Sequence, residues 1–321
     1  MKIKYPIAFL LLLLGVNLVS AQSGWIPTQQ GERGKDLTAV YFIESKRGFI
    51  CGEDGLFYYT EDGGANWKRK SINISHTIND IYFRNKETGF ILAGNTILTT
   101  FDSGQNWHEL QTFKPADFKG GMPELYSIRF GSKKNGWIVG SVSKKETVVD
   151  SLFLYTEDGG ETWKRRSLPT QKELVHLDFV SDERGWVVGA EGTIVYTEDG
   201  GVSWYVQRSG VNAMLNNVDF QDKKKGWVVG QKGTVLRTSD GGLNWVAVAT
   251  PASGALYSVK FINEDNGWIV GRNGTIILSN DGGRTWIRQD SKTTQNLYAL
   301  FMDKKYGWAV GGDGTLVQYV K

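Results

Sequence analysis

Residues 256–289, LYSVKFINEDNGWIVGRNGTIILSNDGGRTWIRQ, are one copy of a unit that recurs, with edits, from near the start of the chain to its last residue. Repetition at a period near ~40 residues restricts a chain more than composition does, because one unit cannot bury its own apolar face and must stack against its copies as a propeller or solenoid. Within this copy LYSVKFI, WIVGR, TIILSN and TWIRQ read as strands, and NEDNG and NG read as turns between them. Four short strands per unit follow.

The segment SNDGGRTW, between the third and fourth strands, fits the pattern Ser/Thr-x-Asp-x-Gly-x-x-Trp. It is a hairpin lock: the aspartate accepts hydrogen bonds from amides of its own turn, and glycine takes the positive φ that a tight reversal needs. The box recurs at residues 60–67, 100–107, 156–163, 197–204, 238–245 and 279–286, which makes Asp62, Asp102, Asp158, Asp199, Asp240 and Asp281 its structural carboxylates. A second signature, glycine followed by an aromatic residue, opens the second strand seven times, at Gly48, Gly89, Gly136, Gly185, Gly226, Gly267 and Gly307. The seventh unit stops where its box should begin, while residues 24–28 near the N-terminus align with the segment that carries each box tryptophan. The chain is therefore expected to be all-β, a seven-bladed β-propeller of four-stranded blades closed by pairing its N- and C-terminal strands, which leaves only protected edges.

The N-terminus carries Lys2 and Lys4, an apolar run over residues 7–19 and Val19-Ser20-Ala21 before Gln22, the layout of a cleaved secretory signal over residues 1–21. Residues 22–321 are then one propeller, exported to a periplasmic or extracellular space. The apolar run is short for a membrane span, so no span is expected after cleavage, and no cysteine follows the run to support a lipid anchor. Of 37 lysines and arginines two fall in the leader, which leaves 35 against 34 acidic residues, a balance that does not point to nucleic acid. Cys51, the single cysteine, excludes an internal disulfide and stands where other copies carry valine, as a buried substitute.

Function is sought where the copies differ. Aligned on Phe42, Phe83, Phe130, Phe179, Phe220, Phe261 and Met302, the first strands place Val40, Ile81, Ile128, Leu177, Val218, Val259 and Leu300 in the core. The intervening positions are mixed: Tyr41, Tyr82, Arg129, Asp178, Asp219, Lys260 and Phe301, preceded two residues earlier by Ala39, Asp80, Ser127, His176, Asn217, Ser258 and Ala299. First strands line a propeller's channel, so these side chains face either channel water or a ligand held around Arg129, His176 and Asp178. Tyr126, Tyr257 and Tyr298, at the ends of first strands, serve either packing or sugar stacking; all twelve tryptophans are taken by the framework. Turns after strands two and four share one face of the disc, the loop face, and turns after strands one and three the other, the box face. The only long insertions, residues 112–124 and 141–151, both fall on the loop face of the third blade and carry Phe113, Lys114, Phe118, Lys119, Lys144 and Lys145. Two readings are open for them, tolerated surface loops or a docking site with aromatic anchors and basic steering groups.

Catalytic chemistry is not evident. Glu61-Asp62, Glu157-Asp158 and Glu198-Asp199 look like glycosidase pairs, but a carboxylate repeated inside a box turn is a scaffold feature. His76, His108 and His176 lack ligand spacing, and no calcium loop or phosphate cradle is present, so neither metal nor cofactor is expected. The runs Lys133-Lys134 and Lys223-Lys224-Lys225 lie in box-face turns as a solvated rim.

On residues 185–193, with Gly-Trp-Val-Val-Gly and a Gly-Thr turn, and on Thr197-Glu198-Asp199-Gly200-Gly201 ahead of Trp204, the chain resembles the Asp-box, or BNR-repeat, propellers. Among these it is most similar to the photosystem II stability and assembly factor family, over essentially the whole mature chain. The resemblance implies an exported, non-enzymatic scaffold that binds protein partners such as membrane-protein subunits and assists assembly or stability of an envelope complex; a monomer is expected. Sialidases share only the box turns; a glycan-binding or glycoside-hydrolysing propeller is the alternative, and it would need arginines converging from several blades where Arg129 stands alone.

Overall fold

The computed structural model describes residues 24–320; the leader and the first residues assigned to the propeller lie outside them. Seven four-stranded antiparallel sheets form a closed ring in which each blade's first strand packs against those of its two neighbours. The template copy becomes blade 6, with strands Leu256–Phe261, Gly267–Gly271, Ile276–Ser279 and Ile287–Gln289. Blade 7 is composite as expected: Leu297–Met302, Gly307–Gly311 and Thr315–Val320 are completed by Gly24–Gln29, which runs antiparallel to the last of these with Trp25 opposite Tyr319. Trp25 is only 1% exposed, and its indole N–H donates to Gln289 Oε1 of blade 6 at 2.8 Å.

The glycine–aromatic pair has a packing cause. A Cβ on Gly185 would lie 2.5 Å from the ring of Phe179, because the first-strand phenylalanine of each of blades 1 to 6 lies flat across that glycine. The aromatic residue that follows then stacks on the phenylalanine of the next blade. Trp137 on Phe179, Trp186 on Phe220 and Trp227 on Phe261 all lie 3.5 Å apart and within 10° of parallel. The same three indoles donate to carbonyls of the next blade's box glycines, Gly200, Gly241 and Gly282, at 3.1 Å. One glycine–aromatic pair thus serves the sheet and the joint between sheets. Cys51 is fully buried with Phe49 and Ile81, and burial pushes its thiol well above the usual range.

The boxes lock as their pattern predicts. In blade 6 the Ser279 hydroxyl donates to Asp281 Oδ1 at 2.8 Å and accepts from Gly283 N–H, while Asp281 also accepts from the amides of Arg284 and Thr285. The second glycine of this turn has φ +76°, which a side chain would strain. The Thr285 hydroxyl, with the Thr285 amide and the Ser279 hydroxyl, outweighs the opposing effect of burial and holds Asp281 down at about 2. Asp62 is held at about 2 by the Asn66 side chain and amide and by Thr60; burial opposes the charge of Asp102, but the Asn106 amide and side chain and the Thr100 hydroxyl together hold it at about 2.

Two outcomes follow. Trp25→Ala should lower unfolding stability by about 3–5 kcal/mol, the usual loss for a buried aromatic; an unchanged urea midpoint would show that the N-terminal strand does not hold the ring shut. Because the box carboxylates have folded pKa values below their unfolded value of about 3.9, their stabilisation is complete above that pH and is lost as pH falls through about 2. The thermal midpoint should therefore drop between about pH 4 and pH 2, and Asp281→Asn should be less stable at neutral pH with a shallower acid slope.

Candidate functional site

The third blade departs from its copies by growing its sheet rather than by carrying loose loops. Its first three strands, Met122–Phe130, Gly136–Lys144 and Thr147–Thr156, are nine, nine and ten residues long, against six, five and four in blade 6. Residues 141–151 form a hairpin whose two-residue turn, Lys145-Glu146, has both φ values positive, the arrangement that matches strand twist. Met122, Pro123 and Glu124 pair with it from the other side. Alternation in Ser141-Val142-Ser143 carried this signal in the sequence.

That extension changes the role of two expected anchors. Phe113 and Phe118 are each only 7% exposed, packed with Leu125, Val142, Leu152 and Trp163 as the filling beneath the lengthened sheet. A sheet that grows needs an apolar underside, and the segment 112–121 supplies it, so these rings are not available at the surface. Arg165 covers the Phe118 ring at 5.1 Å and pairs with Asp150 at 2.7 Å. Lys114, Lys119, Lys144 and Lys145 remain exposed, with no ion pair among the described residues, beside exposed Met122 and Val149.

The other candidates gather elsewhere. Tyr126, Arg129, Tyr257 and Tyr298 line the central channel, a cavity of about 500 Å³, with His176, Asp178 and Lys260. Tyr126 donates to Glu173 at 3.1 Å and shares a 2.9 Å hydrogen bond with Ser141, and the rings of Tyr257 and Tyr298 lie 5.3 Å apart. Arg129 donates to Asp80 at 2.7 Å and lies 3.0 Å from His176 Nε2; Lys260 donates to Asp219 at 2.6 Å.

Several polar channel residues also have a structural partner across a blade joint. A first strand is laddered on one side only, and the neighbouring blade's side chains meet its remaining backbone groups. Asp80 accepts the Ile128 amide at 3.0 Å, Asp178 that of Phe220 at 2.7 Å, Asp219 that of Phe261 at 2.8 Å, and Asn217 that of Val259 at 3.3 Å. Carbonyls are met as well: Asn79 donates to Leu125 O and Asn216 to Leu256 O, at 2.8 and 2.7 Å. Asn79 and Asn216 were not singled out in the sequence, although they share the alignment column of Tyr126, Tyr257 and Tyr298. A bulge after the first residue of the strand turns this column toward the neighbour.

Electrostatics follow from that confinement. Burial, then the charge of Asp219, raises Asp178 to about 6. Burial and the Arg129 charge push His176 well below its usual value, so its ring is neutral. Burial opposes the charge of Arg129, but Asp80 and Asp178 hold it protonated; Lys260 is raised by Asp219. The Lys260 side chain keeps 45% of its surface open to the channel, so solvent screens its pairing with Asp219. Among the described residues no group of three or more His, Cys, Asp or Glu is placed to hold a metal ion.

Compared with known families, residues 20–117, 65–171, 119–206, 166–252 and 247–320 match, in overlapping stretches, the model described as photosynthesis system II assembly factor YCF48. The chain belongs to this family. Within the YCF48 family it is 28% identical over 167 residues to the photosystem II assembly lipoprotein Ycf48 of Synechococcus sp. (strain CC9902), covering 48% of this chain and 46% of that one. It is 30% identical over 141 residues to the chloroplastic photosystem II stability/assembly factor HCF136 of Arabidopsis thaliana, covering 40% and 32%. The matches thus span less than half the length of either curated relative. The solved structure of YCF48 bound to D1 peptide superposes with a TM-score of 0.74 over 92% of this chain and 95% of that one, at 20% identity, a likeness of fold.

If the channel charges serve the joints, Asp219→Ala, which strands both the Phe261 amide and the Lys260 ammonium, should cost about 1–3 kcal/mol in a urea titration, and Asp219→Asn, which keeps an acceptor oxygen, less. Equal stability of all three proteins would free Asp219 for another role.

Proposed function

We propose that this YCF48-family chain is an exported, non-enzymatic scaffold that binds subunits of a membrane-protein complex while that complex is assembled or stabilised, and that it acts as a monomer. The observation that carries the reading is the lengthened third blade. The ring is complete without it, yet the chain maintains a sheet extension with its own apolar filling, and this leaves Lys114, Lys119, Lys144 and Lys145 exposed, with no ion pair among the described residues. Supported lysines of this kind steer an acidic partner surface at a salt-sensitive rate. The relatives named for photosystem II assembly support the same class of role; in a photosynthetic host the complex is photosystem II, and in another host a different envelope complex takes its place.

The glycan reading has less support. Arg129 is occupied by Asp80 and His176, and Asp178 and Asp219 each hold an amide of the next blade. No helix among the described residues is long and apolar enough to cross a membrane.

The test compares partners co-purified from the native host by the natural protein, by a variant with Lys114, Lys119, Lys144 and Lys145 all changed to Glu, and by a control with Lys223, Lys224 and Lys225 changed to Glu. The first variant should lose the partners, with association slowed by about tenfold or more; the control should keep them, and natural binding should weaken as salt rises. A folded first variant that retrieves the same partners while the control loses them would move the site to the box face. Sialoside and xyloglucan substrates should show no turnover, and activity abolished by Asp178→Asn would overturn the non-enzymatic reading.

A further inference from the structure

The joints account for the acceptors in the channel but not for all of its donors. In the alignment column of Asp80, His176 and Asn217 the task is to accept an amide of the next blade, and an asparagine suffices: Asn217 Oδ1 takes the Val259 amide at 3.3 Å. His176 takes the Val218 amide, also at 3.3 Å, with Nδ1. Burial, then the charges of Arg129 and Lys260, keep the ring neutral. A neutral imidazole that accepts with Nδ1 carries its proton on Nε2. That Nε2–H faces Arg129 Nη2 at 3.0 Å, donor against donor. Asp80 meets Nη1, and among the described residues no oxygen accepts from Nη2 or from Nε2. Moving the proton to Nδ1 only sets the ring N–H against that of Val218, so in either tautomer the N–H groups of Val218, Arg129 and the ring compete for one lone pair.

The rest of the cavity is divided. Three residues beyond the start of each first strand's inward face, blades 3 to 6 carry Arg129, Asp178, Asp219 and Lys260, whereas blades 7, 1 and 2 carry Phe301, Tyr41 and Tyr82. These three rings touch in series, with centroids 6.2 and 6.0 Å apart, and Tyr82 adjoins Arg129 at 5.6 Å. In the column of His176, blades 7 and 1 have only Ala299 and Ala39, where larger side chains would narrow the space. The channel, about 500 Å³, is thus charged along one arc and aromatic along the other, a split that the repeat does not require.

We propose that the central channel binds a small aromatic carboxylate, with its carboxylate oxygens on His176 Nε2 and Arg129 Nη2, in the field of Lys260, and its ring against Tyr41, Tyr82 and Phe301. A carboxylate supplies the acceptors that the surplus donors need, through charge-assisted hydrogen bonds. Sites for small molecules join an apolar wall to a few convergent polar groups in this way. Asp178 is the group that opposes an anion here: Asp80 and Asp219 each accept from a cation, whereas Asp178 accepts only the Phe220 amide among the described residues. This site is separate from the blade 3 lysines and needs no protein partner, so either reading can fail alone.

The probe is benzoate, titrated into isotope-labelled protein while the His176 ring nitrogens and the Val218 amide are followed by nuclear magnetic resonance. The free protein should show a neutral ring protonated at Nε2, and benzoate should saturate with a Kd of about 1 mM or tighter, shifting Nε2. Benzamide, which lacks the charge, and acetate, which lacks the ring, should each bind about tenfold more weakly or worse. His176→Asn keeps an acceptor for the Val218 amide, as Asn217 does for Val259, and should weaken benzoate about tenfold or more at an unchanged thermal midpoint. Asp178→Asn keeps an acceptor for Phe220, removes the opposing charge and should tighten benzoate about threefold or more, a gain that damage to the channel does not produce. A ring protonated at Nδ1, no saturation by about 10 mM benzoate, equal binding of benzamide or acetate, or an Asp178→Asn variant that binds no tighter overturns the proposal.

Discussion

The joint between blades governs this structure. A first strand is laddered to its own sheet on one side and faces the next blade on the other, so its remaining amides and carbonyls need partners wherever water does not reach them. The chain meets this need with side chains from the preceding blade, Asp80, Asp178, Asn217 and Asp219 for amides and Asn79 and Asn216 for carbonyls. Those bonds span joints whose blades are stacked ring on ring, Phe90 on Phe130 between blades 2 and 3, Trp186 on Phe220 between blades 4 and 5 and Trp227 on Phe261 between blades 5 and 6. A channel lined with charge is therefore a consequence of closing a ring of separate sheets, and it does not by itself indicate catalysis.

The same joint explains what could be read from the residues alone. Boxes, glycine–aromatic pairs and the composite seventh blade repeat at fixed spacing, so each copy is a check on the others, and Trp25 is recognisable because six other tryptophans define its place. Asn79 and Asn216 are harder to read, because a bulge decides which way their column points and a bulge does not show in a pattern of residue types. Phe113 and Phe118 are harder still. They fall where the repeat is broken, no copy is available for comparison, and a basic-aromatic insertion looks the same whether its rings face out to a partner or in beneath a sheet that has grown above them.

The framework and the proposed recognition surface consequently lie in different parts of the molecule. Residues that recur around the ring are committed to turns, stacks and joints. Side chains that break the repeat while remaining exposed, such as Lys114, Lys119, Lys144 and Lys145 of blade 3, are not required by that framework.

The most direct test is where the protein touches its partners in its native host. Lysine-directed cross-linking followed by mass spectrometry of the linked peptides reads this without altering the chain. The account predicts partner cross-links at Lys114, Lys119, Lys144 and Lys145; cross-links confined to Lys260 in the channel or to Lys223, Lys224 and Lys225 on the box face would contradict it.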